Sequence, residues 1–238
     1  MYKVLYNRKI AKKTYKMVLE GDTSKIKNAG QFVNIKLGGL FLRRPISICD
    51  YDFETVTVIY KVVGEGTERM SKMPVGTELD VLTGLGNGFD TSGSGQAPLL
   101  IGGGAGLPPM LALAKKLVSE GKKPTVIAGF NSKDEVFLED EFEKISVPFT
   151  VTTLDGSYGI KGLVTDAMNT DYTYFYSCGP LQMLKAVSEK SKTDGEISLE
   201  ERMGCGFGIC MGCSRKTVKG SKRICKDGPV FRKEEIIW

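Results

Sequence analysis

The sequence predicts a multi-domain α+β chain: an antiparallel β-barrel over residues 1–96, an α/β domain on a parallel sheet over 97–195, and a small C-terminal domain over 196–238. Three observations predict it. Short alternating apolar runs broken by Gly, Asp and Pro fill the first segment, strand-like and helix-like segments alternate through the second, and four of six cysteines crowd the last 34 residues.

In the first segment, QFVNIKL (31–37), TVTVIYKVV (55–63) and TELDVLTG (77–84) alternate as half-buried strands do, and the turn residues between them fit a barrel or sandwich. In the second, PLLIGGG (98–104) is an apolar strand running into a glycine turn. Residues 107–121 read as a helix with proline in its first turn, apolar Leu111, Leu113, Ala114 and Leu117, and Gly121 as its stop. PTVIAGF (124–130), FTVTTLD (149–155) and TYFYSCG (173–179) are further buried strands, and 180–192 is a second helix. This alternation implies a parallel sheet of dinucleotide-binding topology.

The composition narrows the chemistry. With no histidine there is no Ser-His or Cys-His dyad, no His-ligated zinc and no imidazole proton shuttle. A hydrophobic fraction of 41% with 26% charged residues describes a folded chain, not a disordered one. The net charge of +5 comes without a long basic run, so no nucleic-acid partner is expected. Thr91–Ala114 is uncharged and as long as the roughly 20 residues of a membrane span, but its glycines and paired prolines break it into strand, turn and helix. No membrane segment and no signal peptide are expected. A cytoplasmic location follows, where six cysteines are not a disulfide framework.

Cys205, Cys210, Cys213 and Cys225 form the pattern C-x4-C-x2-C-x11-C. Its first two spacings are those of plant-type [2Fe–2S] ligands, in which a tight loop supplies three thiolates and a returning strand the fourth. Gly204, Gly206, Gly208 and Gly212 let the loop curl closely around the sulfurs. Lys216, Lys219, Lys222, Arg223 and Lys226 either offset an anionic cluster or are solvated surface charge. The alternative is a structural zinc site, although zinc ribbons usually carry two C-x2-C knuckles and this chain has one. Cys49 reads as core; Phe231 and Trp238 are candidates to pack at a partner interface, with a loose C-terminus as the alternative.

Three weaker marks precede the cysteines. Arg43-Arg44-Pro45 followed by Gly64-Glu65-Gly66-Thr67 pairs fixed charge with a turn rich in amides and a hydroxyl, as a phosphate site would; a solvated arginine and an ordinary hairpin are the alternative. Gly84-Leu85-Gly86-Asn87-Gly88-Phe89 is a second glycine-rich mark. The turn Gly102–Pro109 fails G-x-G-x-x-G because position 107 is Leu, leaving a glycine turn at a helix start: a pyrophosphate site or a structural turn. At the end of the next strand, Lys133 is offset by Asp134, which favours NAD over NADP.

RRPIS, YKVVGEGT, GLGNGF, GGGAGLPPM, SCGP and the four-cysteine loop occur in an order that resembles the ferredoxin-reductase-like flavoproteins over nearly the whole chain. LEERMGCGFGICMGC and ICKDGPVF are most similar to the family of electron-transfer subunits of type 1B dihydroorotate dehydrogenases. The resemblance implies an FAD-binding barrel, an NAD-binding α/β domain and a [2Fe–2S] domain. It implies that Arg44, Pro45, Ile46 and Ser47 line FAD, that Ile59, Tyr60 and Lys61 continue the site, and that Gly66 and Thr67 bind phosphate. Gly104, Gly106 and the turn Cys178-Gly179-Pro180 would frame NAD, which is a substrate, and the four cysteines would hold the cluster. No catalytic residue is assigned; Cys178 stands where related reductases place a thiol near the nicotinamide, and an unreactive buried cysteine is the alternative. Leu107-Pro108-Pro109 departs from the related Ile-Thr-Pro by one hydroxyl. The implied partner is an FMN-containing catalytic subunit that oxidises dihydroorotate, in a heterotetramer of two copies of each. Reductase subunits of a sulfide dehydrogenase or of a ferredoxin:NADP oxidoreductase are the alternative within this chemistry, and a non-enzymatic zinc module the alternative outside it.

Overall fold

A computed structural model describes residues 1–238. The first seven strands are β1 (Tyr2–Ala11), β2 (Thr14–Glu20), β3 (Phe32–Ile35), β4 (Arg44–Tyr51), β5 (Thr55–Lys61), β6 (Glu78–Leu79) and β7 (Val81–Leu85), with the short helix α1 (Glu65–Ser71) after β5. They pair in the order β6-β1-β2-β5-β4-β3-β7, antiparallel throughout. β6 and β7 occupy opposite ends of that order yet are separated in sequence by Asp80 alone, so the sheet closes into the expected barrel. Arg43, one residue before β4, secures the closure. Its terminal nitrogens donate to both carboxylate oxygens of Asp80 at 3.1 and 2.6 Å and to the Asp80 carbonyl at 3.0 Å. Inside, Val4, Met17, Leu19, Val33, Val56 and Val58 are fully buried, each worth about 1.5–3 kcal/mol relative to exposure.

The second sheet runs β8 (Pro98–Gly103), β9 (Thr125–Phe130), β10 (Phe149–Thr153), β11 (Ile160–Lys161), β12 (Tyr174–Cys178), β13 (Gly195–Ser198). Its spatial order is β11-β10-β9-β8-β12-β13, all parallel. Strand order reverses between β8 and β12, which leaves a crevice at their carboxyl ends. Helices α2 (Pro108–Ser119), α3 (Glu139–Lys144) and α4 (Leu181–Lys190) lie among these strands. α2 is apolar nearly all round because it is covered on two sides: Leu111 and Ala114 share one core with Leu100 and Tyr176 of the sheet and with Cys49 and Ile59 of the barrel. Lys115 of α2 pairs with Asp50 of β4.

The C-terminal segment adds a hairpin, β14 (Ser214–Thr217) and β15 (Gly220–Arg223), and a last strand, β16 (Val230–Arg232), antiparallel to β13. It is too short for a core of its own. Cys213, Ile224, Cys225 and Phe231 instead complete a core with Leu99, Phe175 and Ile197 of the second sheet and Phe32 of β3. Phe231 is therefore interior, not surface, while Trp238 remains 37% exposed. The glycine-rich mark at 84–89 serves the same docking. Asn87 exchanges hydrogen bonds with the backbone of Val230, donating to its carbonyl at 2.8 Å and accepting from its N–H at 3.1 Å. No helix is long and apolar enough to cross a membrane.

The Arg43 hydrogen bonds hold the Asp80 carboxyl below the ordinary carboxylate range. A depressed folded value stabilises the fold above the unfolded value and is lost as pH falls through the folded one. Asp80→Asn should cost about 1 kcal/mol at neutral pH, the scale of a partly exposed charge-assisted pair. The difference in thermal midpoint from the parent chain should shrink once the pH drops below about 4, the unfolded aspartate value.

Candidate functional site

The cysteine loop enters from β13 and turns through Gly206 and Gly208, both at positive φ. Its four sulfurs form two pairs. The Cys205 N–H points at Cys210 Sγ at 3.4 Å and the Cys210 N–H at Cys205 Sγ at 3.5 Å. The second pair joins loop to return strand, with the Cys225 N–H 3.4 Å from Cys213 Sγ. The first pair lies at the surface and the second is buried. No three His, Cys, Asp or Glu side chains converge as the ligand set of one ion. The amide-to-sulfur contacts join Cys205 with Cys210 and Cys213 with Cys225, a donor set that fits a cluster in which two irons share four thiolates. Desolvation opposes ionisation of Cys205, but the backbone amides of Cys210 and Phe207 outweigh it and bring the thiol down to about 6. Burial and the neighbouring Cys213 push Cys225 up to about 12. Of the nearby cations, Arg223 donates to the Asp227 carboxylate at 3.0 Å and to the Gly208 carbonyl at 2.9 Å, bracing the loop, and Lys219 pairs with Glu235.

The two adjacent arginines divide their work. Arg43 is committed to Asp80, whereas the Arg44 side chain donates only to backbone carbonyls of its own turn and lies against the start of α1. A Cβ at Gly66 would collide with the Arg44 guanidinium, so glycine here lets charge and helix start meet. This cradle fits a pyrophosphate. Gly64–Thr67 is thus a helix start, not a hairpin; the Thr67 hydroxyl accepts from the N–H groups of Val63 and Gly64 and donates to the Gly64 carbonyl. Pro45 and Ser47 lie opposite Asn34 and Phe32 of β3, while Ile46 packs on the barrel core. Tyr60 turns inward, its hydroxyl donating to Asn7 at 3.0 Å, so only its backbone faces outward. Ile59 and Lys61 reach a narrow cleft whose other wall is Gly104, Ala105, Phe130 and Phe137. Glu135, which carries no mark in the sequence, closes it, 2.8 Å from Lys61. Lys61 and Asn131 outweigh the burial around Glu135 and hold its carboxyl below the usual range.

At the crevice of the second sheet, β8 and β12 end side by side, Gly102 opposite Cys178. Gly106 is so close to the Cys178 carbonyl that a Cβ would collide with it, while Gly104, at φ +49°, faces open space. Gly179 lies against Gly103, and Pro180 begins α4. Gly106, Cys178, Gly179 and Pro180 therefore come together, with Gly104 in the turn beside them. The start of α2 is a poorer anion site than the turn implied, because Pro108 and Pro109 remove two of its free amides. Burial pushes the Cys178 thiol up to about 12, against a hydrogen bond with Ser198 that lowers it. Asp134 pairs with Lys12 of the barrel, and Lys133 instead lies over the Tyr158 ring, 5.5 Å from its centre. A cavity of about 550 Å³ where residues 87–90 meet 227–235 is lined by Asn87, Gly88 and Phe89 of the glycine-rich mark and by none of the residues expected to hold FAD, NAD or the cluster.

Gly106→Ala should destabilise the chain by about 2–3 kcal/mol through overpacking. Gly104→Ala, with room but an unfavourable φ, should cost about 1 kcal/mol. Thermal unfolding of both variants without ligands checks the order.

Residues 200–237 match the family model of the iron-sulfur cluster binding domain of dihydroorotate dehydrogenase B, and residues 100–189 that of the oxidoreductase NAD-binding domain. The NADH-dependent reduced ferredoxin-NADP oxidoreductase structure superposes with a TM-score of 0.91 at 32% identity, covering 100% of this chain and 90% of that one. A ferredoxin NADP+ reductase from Neisseria gonorrhoeae with bound FAD and NADP shares the fold, with a TM-score of 0.69 at 18% identity over 79% of this chain and 88% of that one. The dihydroorotate dehydrogenase B (NAD(+)) electron transfer subunit of Fusobacterium nucleatum is 46% identical over 97% of this chain and 95% of its own length. That of Bacillus mycoides is 42% identical over 98% and 96%. A barrel, a switch-point crevice and paired cysteines in one body, matched end to end at this identity, place the chain in the family of dihydroorotate dehydrogenase B (NAD(+)) electron transfer subunits.

Proposed function

We propose that this chain is a cytoplasmic electron-transfer subunit that links an FMN-containing dihydroorotate dehydrogenase subunit to NAD, in a heterotetramer of two copies of each, for pyrimidine biosynthesis. Residues 1–96 carry FAD, 97–195 bind NAD and 196–238 hold the [2Fe–2S] cluster. The observation that carries the reading is the division of four cysteines into two pairs, one at the surface and one in the core of the nucleotide-type sheet. When bound, the flavin exchanges hydride with the nicotinamide and single electrons with the cluster.

The chain's own residues hold and shield these groups. Arg44 and the amides at Gly66 and Thr67 would balance the flavin's pyrophosphate, Pro45, Ile46 and Ser47 would line it, and Ile59, Tyr60 and Lys61 would continue that wall. Gly104, which faces open space, would let the nucleotide approach the backbone, and Gly106 with Cys178-Gly179-Pro180 would frame it. A thiol at about 12 is neutral near pH 7, so Cys178 would present uncharged sulfur to the nicotinamide and no base. Cys205, Cys210, Cys213 and Cys225 would bind the irons as thiolates, which loop amides favour at Cys205. Phe207, Ile209 and Met211 are exposed around Cys210 and give the partner subunit an apolar surface beside the cluster.

Anaerobically purified protein should show flavin bands and broad cluster absorption that bleach with NADH. Co-expressed with the FMN subunit, it should support NAD reduction by dihydroorotate. A colourless protein with stoichiometric zinc would overturn the whole reading; a complex that forms but is inert with dihydroorotate would overturn the substrate and keep the reductase. Cys205→Ser should lose the cluster absorption and retain the flavin. Arg44→Ala should retain the cluster and weaken FAD about 10- to 100-fold, the scale of one lost charge-assisted contact, measured by flavin release on dilution.

A further inference from the structure

Asn34 belongs to none of the motifs, yet it touches two of them. It lies on β3 directly across from Pro45 of β4, on the face of that strand pair that looks away from the barrel core. It is 1% exposed. Its Nδ2 donates to the Cys205 carbonyl at 3.1 Å, across 171 positions of sequence. The orientation of the amide is forced, because a carbonyl oxygen only accepts and the nitrogen must face it. Asn34 Oδ1 is then left buried without a donor from the chain. The cysteine loop is shaped around this side chain: Gly206, at φ +81°, sits so close that a Cβ would collide with Asn34 Nδ2. On the other side the Asn34 carbonyl accepts from Arg43, the residue that closes the barrel.

A buried polar side chain with one unmet acceptor is unfavourable compared with an apolar residue of the same size. Stability of the barrel alone gives no reason for an asparagine here. What it uniquely supplies is a directed contact with the peptide that carries the first cysteine, the kind of outer contact that orients a metal ligand.

We propose that Asn34 is a positioning residue that locks the Cys205 end of the cluster loop to β3, the strand paired with the one bearing Pro45 and Ser47, setting the separation and orientation of the cluster relative to the flavin. This rests on the assignment of residues 44–47 to the flavin and of Cys205 to the cluster. The contact lies at the protein end of the ligand, so its loss perturbs both the electronic surroundings of the sulfur and the freedom of the loop.

The test uses full-length, anaerobically prepared holoprotein. Asn34→Leu removes the contact from the strand side and Gly206→Ala disturbs it from the loop side. Stopped-flow mixing with NADH, with flavin and cluster bands followed separately, gives the rate of cluster reduction relative to flavin reduction. Electron paramagnetic resonance and a redox titration report the cluster itself. Cluster reduction should slow relative to the flavin by about tenfold or more, the low end of what outer-shell partners carry. The resonance spectrum and midpoint potential should shift in the same samples. Wild-type spectrum, potential and relative rate in both variants overturn the proposal, as does a lower thermal midpoint with those three unchanged. Should Asn34→Leu fail to fold, Gly206→Ala decides alone on the same readings. A parent protein that binds no flavin or no cluster overturns the underlying assignment, an outcome visible before any variant is made.

Discussion

The arrangement depends on α2 being buried on two sides. One face packs on the second sheet and the other on β4 and its neighbours, so barrel and sheet share a single apolar core containing Cys49, Ile59, Leu111 and Tyr176. Two bodies joined this way cannot rock apart without exposing that core to water. The C-terminal segment is fixed by the same means on the other face of the sheet, where Cys213 and Cys225 are themselves core residues. A chain that relays electrons needs its carriers at constant separation. Here the constancy comes from shared packing, with the Lys61–Glu135 and Lys115–Asp50 ion pairs across the junction as lesser contributions.

Within that frame the sites are built mainly from backbone. Amides face the sulfurs of the cysteine loop, glycines let Arg44 meet the start of α1 and let Gly106 meet the Cys178 carbonyl, and one side chain, Asn34, spans strand and loop. The absence of histidine is consistent with this economy, since proton transfer by a side chain has no place in the relay. Cys178, buried at the crevice, is held neutral by desolvation.

Much of this was readable beforehand, because it rested on local pattern. Cysteine spacing is a local property, as are strand alternation and the apolar run of α2, and each element appeared within a few residues of its expected bounds. What escaped was set by contacts distant in sequence. Gly64-Glu65-Gly66-Thr67 looked like a turn since glycines carry no helix signal; only the Thr67 hydroxyl, turned back on Gly64, marks the start of α1. Gly84–Phe89 shows its glycines but not its docking role, in which Asn87 serves Val230, 143 positions away. Asn34 carried no signal at all in a strand of ordinary alternation. Glu135 and the inward turn of Tyr60 likewise follow from how barrel and sheet meet, which no single segment encodes.

The closure of the barrel through Asp80 also determines how another protein can approach. A sheet whose first and last strands are consecutive in the chain is nearly closed and keeps little free edge. The second sheet ends on one side in the two residues of β11 and on the other in the three residues of β16, too little backbone to template a further strand. The terminal strands of the two large sheets therefore offer little backbone for strand addition or for edge-to-edge pairing. A partner that recognises side chains on loops can change its specificity with a few residues while the frame that spaces the carriers stays the same.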